Sequence, residues 1–406
     1  MTISQTSTTS SSALAIHGGV PVRPRPVSMT THLGPAARLR IAGVLERHEP
    51  LSEYYGGPWA RRFEDEFARY HGADRHAVAV NSGTSALHVS LAAAGIGPGD
   101  EVIVPALAFV AAATAVVQLG AVPVICDAEP HSLTMDVRAA EALVTDRTRA
   151  ILPVHLWGHP ADLASLRALC DARGLVLVED ACQAPGAPVG AARTGTFGDF
   201  AAYSFANRKH IHCGDGGMVL CRTAEAARTV RSMANFGKGP GWDDYHTLGY
   251  NYRMVEVSAL IGLEGLADLD DEIARRQHAA SLYRQGLRDT DLAPVPAPAW
   301  GDSVYFKMPV LLPERHVARR QFVIDAIHAE NVSSRIPHRP LFAVPWLAEY
   351  LRARGRYRGP EDCRVAASAH ARLFEVETGP HLPAEEAARS VEAVRKVWRQ
   401  LDGQAP

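Results

Sequence analysis

Lysine is scarce in this chain. Lys209, Lys238, Lys307 and Lys396 are the only four among 42 lysines and arginines. Arginine keeps its proton near neutral pH and cannot serve as an amine nucleophile; a lysine can, once burial or a nearby cation lowers its pKa. Lys209 ends the run Ser204-Phe205-Ala206-Asn207-Arg208-Lys209, which leaves an apolar strand, and Gly214-Asp215-Gly216-Gly217 then supplies a tight turn. Alone, it reads better as a surface lysine at a strand end.

Three further groups fit the same chemistry. Asn81-Ser82-Gly83-Thr84-Ser85-Ala86-Leu87 leaves a strand and opens a helix, so small residues and backbone N–H groups can approach a phosphate there. An ordinary N-cap explains the same residues. Glu179-Asp180-Ala181-Cys182-Gln183 ends the strand Leu175-Val176-Leu177-Val178, which puts a carboxylate where open α/β sheets bind ligands. From there Asp180 can keep a pyridine nitrogen protonated and Gln183 can donate to a ring oxygen. Phe109 supplies an aromatic face beyond the strand Val102–Pro105, although its type suits a core equally well. A phosphate seat, a pyridinium partner, an amine and a stacking ring are together what pyridoxal phosphate requires.

The elements that must carry these groups are legible from the pattern. Strand-like runs occur at Ala77–Val80, Glu101–Val104, Val122–Cys126, Ala150–Val154, Leu175–Glu179, Phe200–Phe205 and Met218–Cys221. Helical stretches separate the earlier ones. Strands this hydrophobic throughout predict a mainly parallel sheet covered on both faces. Beyond Asn251 come helices at Glu256–Leu269 and Asp270–Leu287, with Glu272 and Arg276 at i, i+4. A proline-rich break, Leu292 to Pro298, then leads into a strand at Val304–Leu312 and helices at Ala318–Glu330 and Ala384–Gln400. The expected fold is α/β. It has a disordered tail over 1–12, a large cofactor domain with an N-terminal arm over 13–266, and a small α+β domain over 267–406.

Composition excludes other classes. The 406 residues carry a formal charge of −2, which offers nothing to nucleic acid or an anionic membrane. Six cysteines sit without metal or disulfide spacing. His210-Ile211-His212-Cys213 lacks a third ligand, so no metal is expected. Gly95–Asp100 reads as a turn, not a dinucleotide loop. The start of the chain shows neither the basic nor the apolar region of a signal, and the protein is expected in the cytoplasm.

The ordered stretches Phe63–Ala68, Asn81–Leu87, Pro153-Val154-His155-Leu156-Trp157-Gly158, Glu179–Gln183, Ser204–Gly217 and Gly249-Tyr250-Asn251-Tyr252-Arg253-Met254 resemble the DegT/DnrJ/EryC1/StrS family of pyridoxal-phosphate aminotransferases. That family has the aspartate aminotransferase fold, fold type I. The resemblance runs from about Leu51 through Arg276 and implies that Lys209 is the Schiff-base lysine, paired with Asp180 at the pyridine nitrogen. It implies Gln183 near the ring hydroxyl and Phe109 stacked on the ring. Thr84, Ser85 and Ser204 would bind the phosphate. Asn251 would reach the phosphate of a neighbouring subunit, making a homodimer with shared sites. Asp215 stands where the family usually has Glu, and Arg208 and His212 flank the lysine where small or polar residues are commoner.

By the same resemblance the donor is glutamate or glutamine, and the acceptor a keto-cyclitol or nucleotide-linked keto-sugar. The run Leu14–Arg23 is similar to members acting on keto-cyclitols in antibiotic pathways. Tyr54, Tyr55, His155, His212, Trp242 and His338 are candidates for the acceptor pocket, Arg208 or Arg253 for the donor carboxylate, and Lys238 for a substrate contact. A sugar dehydrase of the same family would carry histidine in place of Lys209. A non-enzymatic cofactor-binding regulator remains a third reading, and a ketone outside the sugars a fourth.

Overall fold

The computed structural model describes residues 13–27, 33–53, 56–72, 74–239, 241, 243–379 and 382–402. The expected tail over 1–12 and the candidates Tyr54, Tyr55 and Trp242 lie outside them. The apolar runs form strands β1 (His76–Val80), β2 (Glu101–Pro105), β3 (Val122–Cys126), β4 (Thr148–Ile151) and β5 (Val176–Asp180). Next come a two-residue hairpin, β6 (Pro188–Val189) and β7 (Ala192–Arg193), and then β8 (Phe200–Ser204) and β9 (Gly217–Cys221). A single sheet orders seven of them β1-β9-β8-β5-β4-β2-β3. Pairing is parallel from β8 through β3, and antiparallel only where β9 meets β1 and β8. Helices Gly83–Ala93, Ala111–Gln118 and Leu163–Arg173 supply crossovers that cover its faces, which is why these strands are buried with hardly a polar residue.

The register brings the chemistry to one edge. Asp180, at the carboxyl end of β5, pairs with Ala202 of β8, and Ser204 ends β8 two residues on. Ser204 in turn pairs with Gly217, the first residue of β9, so the connection bearing Lys209 projects from that edge. Val80, ending β1, also pairs with Gly217 and delivers Asn81 to Thr84 to the same place. Six strands thus end where ligands bind in open parallel sheets, and the reversed strand begins there.

A second, antiparallel sheet is ordered β10-β11-β13-β12, with β10 at Ala293–Pro294, β11 at Met308–Leu311, β12 at Ser334–Arg335 and β13 at Leu373–Val376. Helices Arg320–Ala329 and Ala384–Asp402 accompany it, and their core includes Val310, Ile327, Phe374 and Trp398. Leu14 is buried in that same core, and Arg23 is clamped by Glu377 at 2.7 Å and Glu386 at 2.8 Å. Among the described residues, no helix is long and apolar enough to cross a membrane.

The small unit was harder to foresee. Its strand starts at Met308 rather than Val304, and β13 and the short helices Pro345–Arg352 and Arg364–Arg372 were not foreseen. Glu272 and Arg276 pair at i, i+4 as expected, and the pair is buried, with Arg276 Nε donating to Glu272 at 2.7 Å.

Candidate active site

A cleft of about 380 Å³ lies between the edge of the large sheet and the small sheet. Thr84, Phe109, Asp180, Gln183, Ser204 and Lys209 line it, together with Ser82, Gly83 and Asp215. The folding of each local segment explains its placement.

Ser82 is the N-cap of helix Gly83–Ala93, and its Oγ accepts from the Ser85 N–H at 3.1 Å. The Ser85 hydroxyl lies 2.9 Å from the same oxygen, so Ser85 is buried behind the cap and off the cleft wall. Gly83 and Thr84 occupy the wall instead. The first N–H groups of a helix have no partner within it, and with the helix dipole they favour an anion. Only glycine fits at 83, since a Cβ there would fall 2.7 Å from Ser204 Cβ. The N-cap and a helix start open to an anion are therefore one structure.

Glu179 and Asp180 separate by the strand's twofold alternation. Glu179 points inward and accepts from the N–H groups of Gly195, Phe197 and Gly198 and from His155 Nε2. Asp180 faces the cleft, where its Oδ1 accepts from the Cys182 N–H at 3.1 Å. Gln183 Oε1 accepts from the Trp157 N–H at 2.8 Å, which leaves the amide NH₂ as the group able to donate into the cleft. Trp157 adopts φ 57° to make that bond, and its Nε1 donates to Glu375 Oε1 at 2.6 Å. One strained residue thus braces both walls.

Lys209 Nζ stands 4.5 Å from the centroid of Phe306. Burial lowers its pKa, with Arg276 and Arg335 acting in the same sense against Asp180 and Cys182. More of the lysine is then free amine at neutral pH. The preceding Arg208 takes φ 73°, and Gly214 turns the chain at φ 86°. Buried Arg276 holds this loop, donating to the Arg208 carbonyl at 3.3 Å and to the Phe306 carbonyl at 3.0 Å. Phe109 is 45% exposed, against the core alternative, and packs edge-on to His338 at 4.9 Å.

Several candidates are elsewhere. His155, proposed for the acceptor pocket, is fully buried and doubly bonded: Nε2 to Glu179 and Nδ1 to the Ala161 N–H at 3.1 Å. It bolts strand ends together and cannot meet a substrate. His210 bonds the Val304 carbonyl at 2.9 Å, and His212 lines a separate small cavity. Arg253 pairs with Asn235 at 2.7 Å. Both border a second cavity with Lys238, one that contains none of the cofactor candidates. Asn251 is exposed, off the Lys209 cleft, with its carbonyl accepting from Asn81 Nδ2 at 3.4 Å. Arg208 and His338 remain on the cleft wall.

The sequence reading missed the far wall: Phe306, Lys307, Ser333, Ser334, Arg335 and Glu375. One signal was available. The scarcity that singled out Lys209 applies equally to Lys307, set in an apolar strand-like run.

The family described as the DegT/DnrJ/EryC1/StrS aminotransferase family matches residues 42–395. The dTDP-3-amino-3,4,6-trideoxy-alpha-D-glucose transaminase of Streptomyces venezuelae is 37% identical over 89% of this chain and 92% of its own. The L-glutamine:2-deoxy-scyllo-inosose aminotransferase of Streptomyces paromomycinus is 37% identical over 70% of each chain. Among solved structures, S. venezuelae DesV in complex with a ketimine intermediate superposes with a TM-score of 0.81 at 36% identity, covering 89% of this chain and 94% of DesV.

Proposed function

Because the chain belongs to the DegT/DnrJ/EryC1/StrS aminotransferase family, we propose that it moves an amino group from glutamine or glutamate to the keto group of a polyhydroxylated ring, a cyclitol or a nucleotide-linked sugar. The observation that carries this is the meeting, in one cleft, of a lysine with lowered pKa, a carboxylate and a helix start. The cofactor is pyridoxal phosphate, and the residues present fit it. Thr84, Gly83 and Ser204 would hold the phosphate, Asp180 the ring nitrogen, Gln183 the ring hydroxyl, and Phe109 the ring face. When bound, it supplies an aldehyde that receives the amino group and a ring that withdraws electrons from the carbon losing its proton.

The side chains do the rest. Lys209, as the buried amine of the cleft, would hold the cofactor through its Nζ and give way to an incoming amine. The same Nζ would take the proton from the donor's α-carbon, a role suited to an amine whose pKa burial lowers. Asp180, already fixed by the Cys182 N–H, supplies preorganised negative charge to the ring nitrogen. The same groups act in reverse on the acceptor. Lys209 also separates this reading from a dehydrase with histidine at that position.

The test is a half-reaction. Glutamine or glutamate should discharge the visible absorption of the lysine-bound cofactor, and a keto-cyclitol or nucleotide keto-sugar should restore it. Restoration by simple 2-oxo acids alone would identify an amino-acid aminotransferase and refute the acceptor class. The relatives named for an aminodeoxysugar and for 2-deoxy-scyllo-inosose support that class, and one named for erythromycin biosynthesis supports a role in antibiotic biosynthesis, which this reading assigns to the cytoplasm.

We further infer a homodimer whose sites are shared. Asn251 is exposed and off its own chain's cleft, as a residue serving a partner's phosphate must be. Mixing inactive Lys209→Ala and Asn251→Asp chains should restore part of the activity, since one site per mixed dimer regains both residues. Mixed dimers that form and stay inactive would rule sharing out.

A further inference from the structure

The small-sheet wall carries more positive charge than its partners neutralise. Lys307 is only 6% exposed and lines the cleft, yet its Nζ has no hydrogen bond or ion pair among the described residues. Its close neighbour is the Phe306 ring at 5.9 Å, the ring that Lys209 approaches from 4.5 Å. Arg335 is next along this wall. Its Nε donates to Glu375 Oε2 at 2.6 Å, while Trp157 takes the other oxygen. Glu375 is thus spent on two donors, neither of them Lys307. Beside them the Ser334 hydroxyl is buried on the cleft wall without a partner. Unpaired buried polar and charged groups cost folding free energy, so their persistence at one place calls for a ligand.

We propose that Lys307, Arg335 and the Ser334 hydroxyl form an anion subsite that takes a carboxylate of the amino donor. The inference rests on the aminotransferase reading above and extends it to donor recognition. Burial, with Arg276 and Arg335 nearby, brings the Lys307 pKa down to about 8 against the opposing pull of Glu375 and Glu377. A carboxylate seated there relieves that repulsion and satisfies the orphaned hydroxyl. The helix start at Gly83 lies across the cleft on the large-sheet edge and serves the cofactor phosphate, so the two anion positions are separate. The Lys209 amine and Lys307 both lie beside the Phe306 ring, 4.5 Å and 5.9 Å from its centroid, so the subsite belongs to the cleft that holds the reacting amine. This replaces Arg253, which the fold keeps off this wall.

The probe is glutarate, a dicarboxylate without the amine, titrated calorimetrically into the full-length, cofactor-loaded enzyme. Lys307→Met should weaken glutarate binding roughly 10- to 100-fold, the loss of one charge-assisted hydrogen bond. Lys307→Arg should retain most of the affinity. UDP, standing for a nucleotide acceptor's diphosphate, should bind all of them alike. The melting temperature of Lys307→Met should hold or rise, because an unpaired buried ammonium is removed. Unchanged glutarate affinity, a loss confined to UDP, no glutarate binding to the unsubstituted enzyme, or a fall in melting temperature would each overturn the assignment. The cofactor's visible band is recorded in the same samples. If it is retained while glutarate affinity is lost, the defect belongs to the subsite. If it is absent from the unsubstituted chain, the aminotransferase reading falls as well.

Discussion

Lys209→Ala should lose the lysine-bound absorption of pyridoxal phosphate and lower turnover by roughly 10⁴-fold or more, since the acid–base role alone contributes about 10²- to 10⁴-fold. The covalent role is lost with it. Geometry explains why no other residue can substitute. Lys396 is tied to Glu330 at 2.9 Å in the second core, and Lys238 borders the other cavity. Lys307 shares the cleft but sits on the opposite wall, where Arg276 and Arg335 surround it. Cofactor should still bind non-covalently, because the helix start at Gly83 and the Asp180 carboxylate are untouched. Steady-state kinetics and an absorption spectrum of the purified variant check both parts; turnover within tenfold of the parent would refute the assignment.

Asp180→Asn is the second large effect, and it acts on rate rather than loading. Asparagine keeps the Oδ1 acceptor for the Cys182 N–H, so the turn after β5 should hold. What disappears is the negative charge facing the cleft, proposed to meet the ring nitrogen. Removing one preorganised electrostatic contact costs about 10²- to 10³-fold in rate, and that is the expected fall in the donor half-reaction. Cofactor affinity should change far less, because the phosphate is proposed to sit at the helix start, away from Asp180. Stopped-flow single turnover with glutamine or glutamate measures the rate, and equilibrium dialysis the affinity. Near-parental single-turnover kinetics would exclude the role.

Much of the near wall was legible because local sequence and topology agree there. A strand buried on both faces betrays itself by unbroken hydrophobicity, and its carboxyl end marks the ligand edge, so Asp180, Ser204 and the Gly83 turn fall together once the strands do. Side-chain direction was less legible. His155 ends its strand beside the cleft, but its ring turns inward to Glu179. The far wall depends on pairings distant in sequence, Met308 with Val376 and Arg335 with Glu375. A two-residue strand such as β12 has too few residues to show any alternation. Glu272 and Arg276 had visible spacing, yet the spacing of a surface pair and of a buried brace is the same. Their burial follows only from the helix packing against the Lys209 loop.

The central claim is that one lysine, Lys209, carries the cofactor, although a second with lowered pKa stands in the same cleft. Borohydride reduction of the loaded enzyme, followed by proteolysis and mass mapping of the pyridoxyl-labelled peptide, distinguishes them. The label should fall on Lys209 alone; its appearance on Lys307, Lys238 or Lys396 would contradict the account.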